Sequence, residues 1–514
     1  MSYQYVGDVA KELGVTSCFG IPGGGISLEI INSLEVSGIP FYLSHFEGSA
    51  AIMAATVGRL SGTAGMSISI KGPGLCNALP GISAAWFESF PLVHITESTP
   101  KTAPPWVAHK RLPQSQLCDV VTKSTGYLGQ DGTGINEAFS VAVAEEPGPV
   151  LLEIGEGSAP TPPELDSTET SEDTVQKALK LIQASSNPTV IAGAYTVRKK
   201  LGEELSSLKC PVFSTVASKG IVDEIQENVA GIFTGVDEEL TPEWNVLPKA
   251  DLVIAIGLSA RELLAVKPFK CKSIYLGSQN TQGIEGFEFD FILEAKYLSE
   301  VLSRLREKSW GADLVMSIRE RIQEKLVEGF LPGLVYKLLQ DHFSRTARLV
   351  LDTGFFCTIG EHAWYSQRPD WFLLSAQGRY MGTSLPMALG AAVYDRTVPT
   401  IAVMGDGGIG MYISDIKIAV QNRLPILIIL MSDNGFGSIR PRAKANGFLV
   451  SLVQTDGNSW VPVLDALGVP GDRVETEQDF VRTLKAWDPS SGPAFIEISF
   501  DPGAYEVMTA GIRT

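Results

Sequence analysis

Short, nearly uninterrupted apolar runs alternate with longer amphipathic stretches along most of the chain. Runs of four to eight apolar residues bounded by glycine or proline read as strands, and the 3.6-residue periodicity between them reads as helix. Met66 to Ile70 and Pro91 to Thr96 form one set of such strands. Thr189 to Gly193, Val212 to Thr215, Leu252 to Gly257 and Ser273 to Gly277 form a second set. Arg348 to Leu351, Thr400 to Gly405, Ile426 to Met431 and Ala494 to Ser499 form a third. Strands apolar on both faces belong to parallel sheets covered by helices on each side, so the expected class is α/β with three consecutive doubly wound domains. A charged amphipathic stretch, Leu298 to Glu328, reads as one helix joining the second set to the third.

Length agrees with this count, because 514 residues at about 150 per domain give three. Gly157 to Asp173 is rich in Pro, Ser, Thr and acids and holds little that would enter a core, so it reads as a linker. The division that follows is 1–160, a linker at 161–173, a central domain at 174–330 and a third domain at 331–514. No close internal repeat connects the three units.

Composition then removes several function classes. The net charge of −17 opposes binding to nucleic acid or to anionic membranes. No apolar run approaches the roughly 20 residues of a membrane helix, and Met1 to Lys11 has no signal-like apolar core, so a cytoplasmic location is expected. Six scattered cysteines without a C-x-x-C pair argue against a zinc site or a disulfide framework, and they read as mostly reduced and buried.

Ile401 to Arg440 carries the most chemistry. One strand delivers Gly405-Asp406-Gly407, with Gly408 following; a helix runs to about Asn422; a second strand delivers Asp433-Asn434-Gly435. Ligands of open parallel sheets bind at those carboxyl ends. Asp406 and Asn434 would offer two oxygens to a hard cation such as Mg²⁺, and the glycines would let backbone approach a diphosphate. Either motif alone is ordinary turn chemistry; their pairing across one helix favours a site.

With 25 residues from Gly408 to Ser432, the stretch resembles the signature of thiamine diphosphate enzymes, in which GDG is followed by a pair ending in Asn. The usual Asn-Asn is Asp433-Asn434 here, which leaves the ligand position intact. The resemblance implies that the backbone carbonyl of Phe436 is a third protein ligand. Ser44 to Ala51 matches the segment carrying the glutamate that promotes the cofactor's imino tautomer, and Glu47 falls on that glutamate. Alone, Glu47 would be an acid favoured in a first helical turn. Its context is Phe19 to Gly24 with Gly23, Gly72-Pro73-Gly74, and Ala85 to Thr96, all similar to the acetolactate synthase-like group in that order. Gly378 to Pro386 resembles the segment that closes over the cofactor, with Met381 at the bulky position that holds it bent; the plainer alternative is a core methionine on a glycine-rich loop. Asp352 to Cys357, with Gly354, stands where the diphosphate-binding loop does.

Around the substrate the pattern thins. Tandem histidines, which mark the pyruvate decarboxylase branch, are absent among five single histidines, of which His45 and His94 have the best placement. Gln114, Gln116 and Lys123 lie where relatives place pocket residues, and Arg440 or Arg442 would suit a substrate carboxylate or a solvated helix start. After Gly257 no flavin-binding pattern is recognised, which speaks against FAD. The resemblance therefore implies a thiamine diphosphate and Mg²⁺ enzyme that decarboxylates a 2-oxo acid and ligates the product to a second carbonyl compound. Its alternatives are a simple decarboxylase, a C–C lyase, or a cofactor-binding protein without turnover. It further implies a homodimer or homotetramer with active sites between subunits.

Overall fold

A computed structural model describes residues 3–99, 103–104, 109–162, 170–278 and 286–512. The first sheet contains β1 (Cys18–Ile21), β2 (Phe41–Leu43), β3 (Gly65–Ser69), β4 (Leu92–Glu97), β5 (Ser124–Leu128) and β6 (Pro149–Ile154). The second contains β7 (Pro188–Ala192), β8 (Val212–Ser214), β9 (Val229–Ile232), β10 (Leu252–Ile256), β11 (Lys272–Gly277) and β12 (Phe291–Glu294). The third contains β13 (Arg348–Leu351), β14 (Phe372–Leu374), β15 (Thr400–Gly405), β16 (Ile426–Ser432), β17 (Gly471–Val474) and β18 (Ala494–Ser499). The pairings given for these strands are all parallel. The α/β reading with three parallel sheets is therefore what the chain adopts.

The first and third sheets share one strand order, β2-β1-β3-β4-β6-β5 and β14-β13-β15-β16-β18-β17, although their sequences show no close repeat. Handed crossovers and strand patterning select such an order without sequence identity. The middle sheet runs β12-β11-β10-β7-β8-β9, the order common in dinucleotide-binding folds.

Alternation along the strands decides which domain faces which. In the third sheet Leu349, Leu351, Ile401, Val403, Leu427 and Ile429 enter a core shared with the central domain. Their neighbours Val350, Ala402, Met404, Ile428 and Leu430 enter a core shared with the first domain. A period of two thus sandwiches the third sheet between the others. Against the first domain the contact is made by two small-residue helices, Glu47–Ser61 and Ser384–Tyr394. They approach so closely that a Cβ on Gly390 would lie 2.5 Å from the Met53 carbonyl oxygen.

Two sequence expectations change. The stretch Leu298 to Glu328 is two helices, Leu298–Leu305 and Ala312–Leu326, broken where Gly311 takes φ +83° and the Trp310 indole donates to the Pro188 carbonyl (2.6 Å). In the expected linker, Ser171 caps a helix that already begins at Glu172; residues 163–169 lie outside the described residues. The six cysteines form no disulfide; Cys18, Cys118, Cys210 and Cys357 are buried, Cys271 half-buried and Cys76 exposed. Among the described residues no helix is long and apolar enough to cross a membrane.

Gly390→Val is expected to wedge the two helices apart. Overpacking of this kind costs about 1–3 kcal/mol. The first transition in a thermal melt should fall by several degrees, and an unchanged melt would show that the interface yields without cost.

Candidate active site

At the carboxyl end of the third sheet, β15 ends at Gly405 and β16 at Ser432, so Asp406 and Asp433 are the first residues beyond the strands. The Asp406 carboxylate accepts the Ser432 hydroxyl (2.6 Å) and the backbone amides of Asp433 (3.1 Å) and Gly435 (3.2 Å). One acid therefore fixes the loop carrying Asn434, whose backbone is left-handed at φ +58°. The Asn434 amide oxygen lies against Gly457, where a Cβ would come within 2.9 Å, and among the described residues this side chain has no hydrogen bond. Phe436 lays its ring on Gly407, leaving only 2.6 Å for a Cβ. Its carbonyl accepts the amides of Ile439 (2.9 Å) and Arg440 (3.2 Å), so as placed here it serves the following helical turn.

Arg440 faces inward. Its guanidinium contacts Asp433 Oδ2 (2.9 Å), the Asp433 carbonyl (3.0 Å) and Glu506 (3.4 Å). Burial pushes the Asp433 carboxyl up to about 6, with Arg440 pulling it down and Asp406 pushing it further up. A second acid beside Asp406 needs a cation, and Arg440 is that cation. This changes the expectation for Arg440, whose donors meet the chain's own carboxylates; Arg442 is exposed.

Asp352, which follows β13, joins two further loops. Its carboxylate accepts the amides of Gly382 (2.7 Å) and Thr353 (2.9 Å), and it occupies the space a Cβ on Gly408 would need. Burial pushes it up to about 7. Gly354 and Gly405 both face the Phe356 ring, at 2.6 and 3.0 Å from their would-be Cβ atoms. Gly378 faces the Tyr380 ring at 2.7 Å in the same sense. Arg379 pairs with the buried Glu361 (2.8 Å), and Met381, two residues on, is 37% exposed.

In the first domain Glu47 opens its helix, 6% exposed, and its Oε2 accepts the Asn77 side chain (3.1 Å). Gly23 donates its amide to Ser27 Oγ (2.8 Å), and Ser27 in turn donates to Glu97 Oε1 through its amide (3.1 Å) and hydroxyl (2.6 Å). Gly72 donates to Gln114 Oε1 (2.7 Å), whose amide nitrogen reaches the Glu97 carbonyl (3.0 Å) and Glu153 (2.9 Å). Gly23, Gly72 and Gln114 are thus gathered at one end of the sheet, while Gln116 is exposed. Lys123 donates to the Ala144 carbonyl (2.6 Å), and burial lowers it to about 8. His45 uses its backbone amide on Asp415 (2.7 Å). His94 is a core residue, its ring nitrogens bonded to Ser67 Oγ (2.8 Å) and Ser69 Oγ (2.9 Å) and its pKa lowered by burial to about 3.

The sequence reading passed over Glu97 and named the Asp352 segment without the role of its acid. Both signals are an acid ending a short buried strand at the sheet's carboxyl edge. As for a metal, one carboxylate with an adjacent unpartnered amide oxygen is an oxygen set of the kind Mg²⁺ takes together with phosphate. The glycine positions around it have no room for a side chain, which fits close approach of a diphosphate.

First and third sheets of one topology, with loops of this kind at their carboxyl ends, define a three-domain cofactor enzyme, and the chain belongs to the thiamine pyrophosphate enzyme family. Residues 3–119 match its N-terminal TPP binding domain, 175–276 its central domain and 352–498 its C-terminal TPP binding domain. Similar proteins include the catabolic acetolactate synthase of Raoultella terrigena, 24% identical over 95% of this chain and 93% of the relative. The acetolactate synthase of Bacillus subtilis is 23% identical over 97% and 93%. The acetolactate synthase isozyme 2 large subunit of Escherichia coli is 23% identical over 97% and 95%. The chain is thus a thiamine diphosphate-dependent enzyme of the acetolactate synthase-like kind, a carboligase or decarboxylase.

The assignment of His94 to the core has a pH signature. Its folded pKa of about 3 lies below the ordinary 6.5, so between those values the unfolded chain binds more protons. Stability is then full above pH 6.5 and falls as pH drops through the window, by up to roughly 4–5 kcal/mol. The stability gap between the wild type and His94→Gln, from urea midpoints, should narrow from pH 7 to pH 4. A gap independent of pH would contradict the assignment.

Proposed function

We propose that the chain decarboxylates a 2-oxo acid and joins the remaining acyl fragment, through the carbon that lost carbon dioxide, to a second carbonyl compound, using thiamine diphosphate held through Mg²⁺. The observation that carries this reading is the Asp406 carboxylate fixing, through three hydrogen bonds, the loop that presents the unpartnered Asn434 side chain. When bound, the cofactor supplies the nucleophilic carbon and the electron sink for loss of carbon dioxide. Asp406 and Asn434 would hold the cation, and the Phe436 carbonyl would join them by turning from its present amide donors. Gly354, Gly378, Gly405, Gly407 and Gly408 would let backbone close around the diphosphate, with Gly23 and Gly72 on the pyrimidine side. Met381 would support the ring junction. Glu47 would share a proton with the pyrimidine ring, and its burial beside Asn77 keeps water from competing for that contact.

A flavin is not part of this reading. In the middle sheet a dinucleotide would lie where the strand order reverses, between β7 and β10. There the Ala194 amide donates to Glu262 (2.9 Å), so the chain's own carboxylate stands where a pyrophosphate would. A side chain at Gly257 would collide with Tyr195, which fills the adjoining space.

We also infer that a second copy completes each site. In support, the hydrogen bond given for Glu47 stays in the first domain and those given for Asp406 stay in the third. Met381, Met411 and Ile439, near the metal loop in sequence or space, expose 37%, 47% and 49% of their surface.

A panel of 2-oxo acids, assayed with Mg²⁺ and thiamine diphosphate for carbon dioxide and with and without an aldehyde acceptor, tests the reading. A hydroxyketone product is expected; an aldehyde alone would indicate simple decarboxylation. Glu47→Gln should keep cofactor affinity and lose turnover by roughly 10²-fold or more. Asp406→Ala should lose calorimetric binding of metal and cofactor together. Wild-type protein that binds the cofactor but releases no carbon dioxide from any substrate would overturn the reading.

A further inference from the structure

The segment 375–383 belongs to the third domain, yet much of what holds it comes from the first. Glu88 is the last residue of the helix Pro73–Glu88. Its Oε1 accepts the Ser375 hydroxyl (2.8 Å) and the Gly378 amide (3.0 Å), and its Oε2 accepts the Ala376 amide (2.7 Å). One turn earlier Ser83 Oγ meets the Tyr380 hydroxyl (2.5 Å), and the Phe87 and Tyr380 rings lie 6.1 Å apart. The Ser375 hydroxyl also accepts the Tyr380 amide (3.2 Å), passing the restraint along the segment. Just before Tyr380, Glu361 holds the Arg379 guanidinium, and beyond it Asp352 holds the Gly382 amide. Two carboxylates, Glu88 and Asp352, thus hold the backbone on either side of Met381 and a third, Glu361, holds the Arg379 side chain, while Met381 itself remains partly exposed.

The acceptor pattern is specific to a carboxylate. Three donors converge on two oxygens, and an ionised acid offers acceptors only. An amide of the same shape would turn an NH₂ group either towards Ala376 or towards Ser375 and Gly378, leaving a donor facing a donor. The opposite domain answers in kind: the buried Asp415 of the third domain accepts the His45 amide (2.7 Å), two residues before Glu47.

We propose that Glu88 is a positioning residue, clasping the 375–378 segment so that the first domain of each chain sets where its own Met381 meets the cofactor. The proposal rests on the reading of Met381 given above. It predicts that catalysis depends on a side chain in a different domain from the cofactor-closing segment.

The test uses Glu88→Gln and Ser375→Ala in the full-length chain. Hydrogen exchange of the cofactor-free proteins should show the amides of 376–382 exchanging about tenfold faster in Glu88→Gln, with less change in Ser375→Ala. The unfolding midpoint and exchange elsewhere should stay as in the wild type. With Mg²⁺ and thiamine diphosphate, kcat on the best 2-oxo acid of the panel should fall by about tenfold or more while cofactor affinity stays within about threefold. Unchanged exchange at 376–382, uniformly faster exchange with a lowered midpoint, or a loosened segment with unchanged kcat would each overturn the clasp. The exchange measurement needs no turnover, so it decides the clasp even where the proposed reaction fails its own test.

Discussion

The structure depends on buried and half-buried carboxylates that end strands or line the sheet edges and take hydrogen bonds from loops belonging to other segments. Glu97 binds Ser27, Asp352 binds Gly382, Asp406 binds the loop after β16, and Glu497 of β18 binds the Trp460 amide (2.7 Å) and the Ser459 hydroxyl (2.8 Å). Parallel sheets leave backbone donors converging at their carboxyl edge, and an acid with two oxygens satisfies several of them at once. The loops that face a cofactor are thereby fixed from beneath. Where acids crowd, a cation is built in, as with Arg440 between Asp433 and Glu506.

Such loops serve chemistry only if the domains bearing them keep a fixed relation. Alternation in the third sheet sends successive residues into cores shared with different neighbours, so this sheet cannot shift without disturbing both. Glycine and alanine at the contact of the helices Glu47–Ser61 and Ser384–Tyr394 bring backbone to backbone. Glu88 and Asp415 then tie each domain to a loop of the other. The catalytic geometry follows from interdomain packing as much as from the residues that would touch the cofactor.

Much of this was legible in the sequence where the signal is local. The apolar runs named for the three sheets are strands with ends displaced by a residue or so, because burial on both faces leaves an unbroken run. Asp406 and Asn434 announced themselves by following such runs. Signals that fold back from afar were not legible: nothing near Glu88 points to Ser375, 287 residues away. Arg440 was read outward because the need of Asp433 for a cation appears only once that loop is closed. The long helix failed at Gly311, where the Trp310 indole finds a partner in β7, and period alone does not show such a break. The strand β17, Gly-Asp-Arg-Val, carries too few apolar residues to stand out, and β9, Val-Ala-Gly-Ile, is too short and is interrupted by Gly231.

The central claim is that Glu47 acts on a cofactor held by Asp406 and Asn434 of a second copy. Its most direct measurement mixes Glu47→Gln subunits with Asp406→Ala subunits, each inactive alone, after co-purification through two tags has shown that mixed dimers form. One of the two sites in a mixed dimer then holds both wild-type halves, and the account predicts that activity returns, towards half that of the wild-type dimer. Mixed dimers that form and remain without activity, or a strictly monomeric species that turns over, would contradict it.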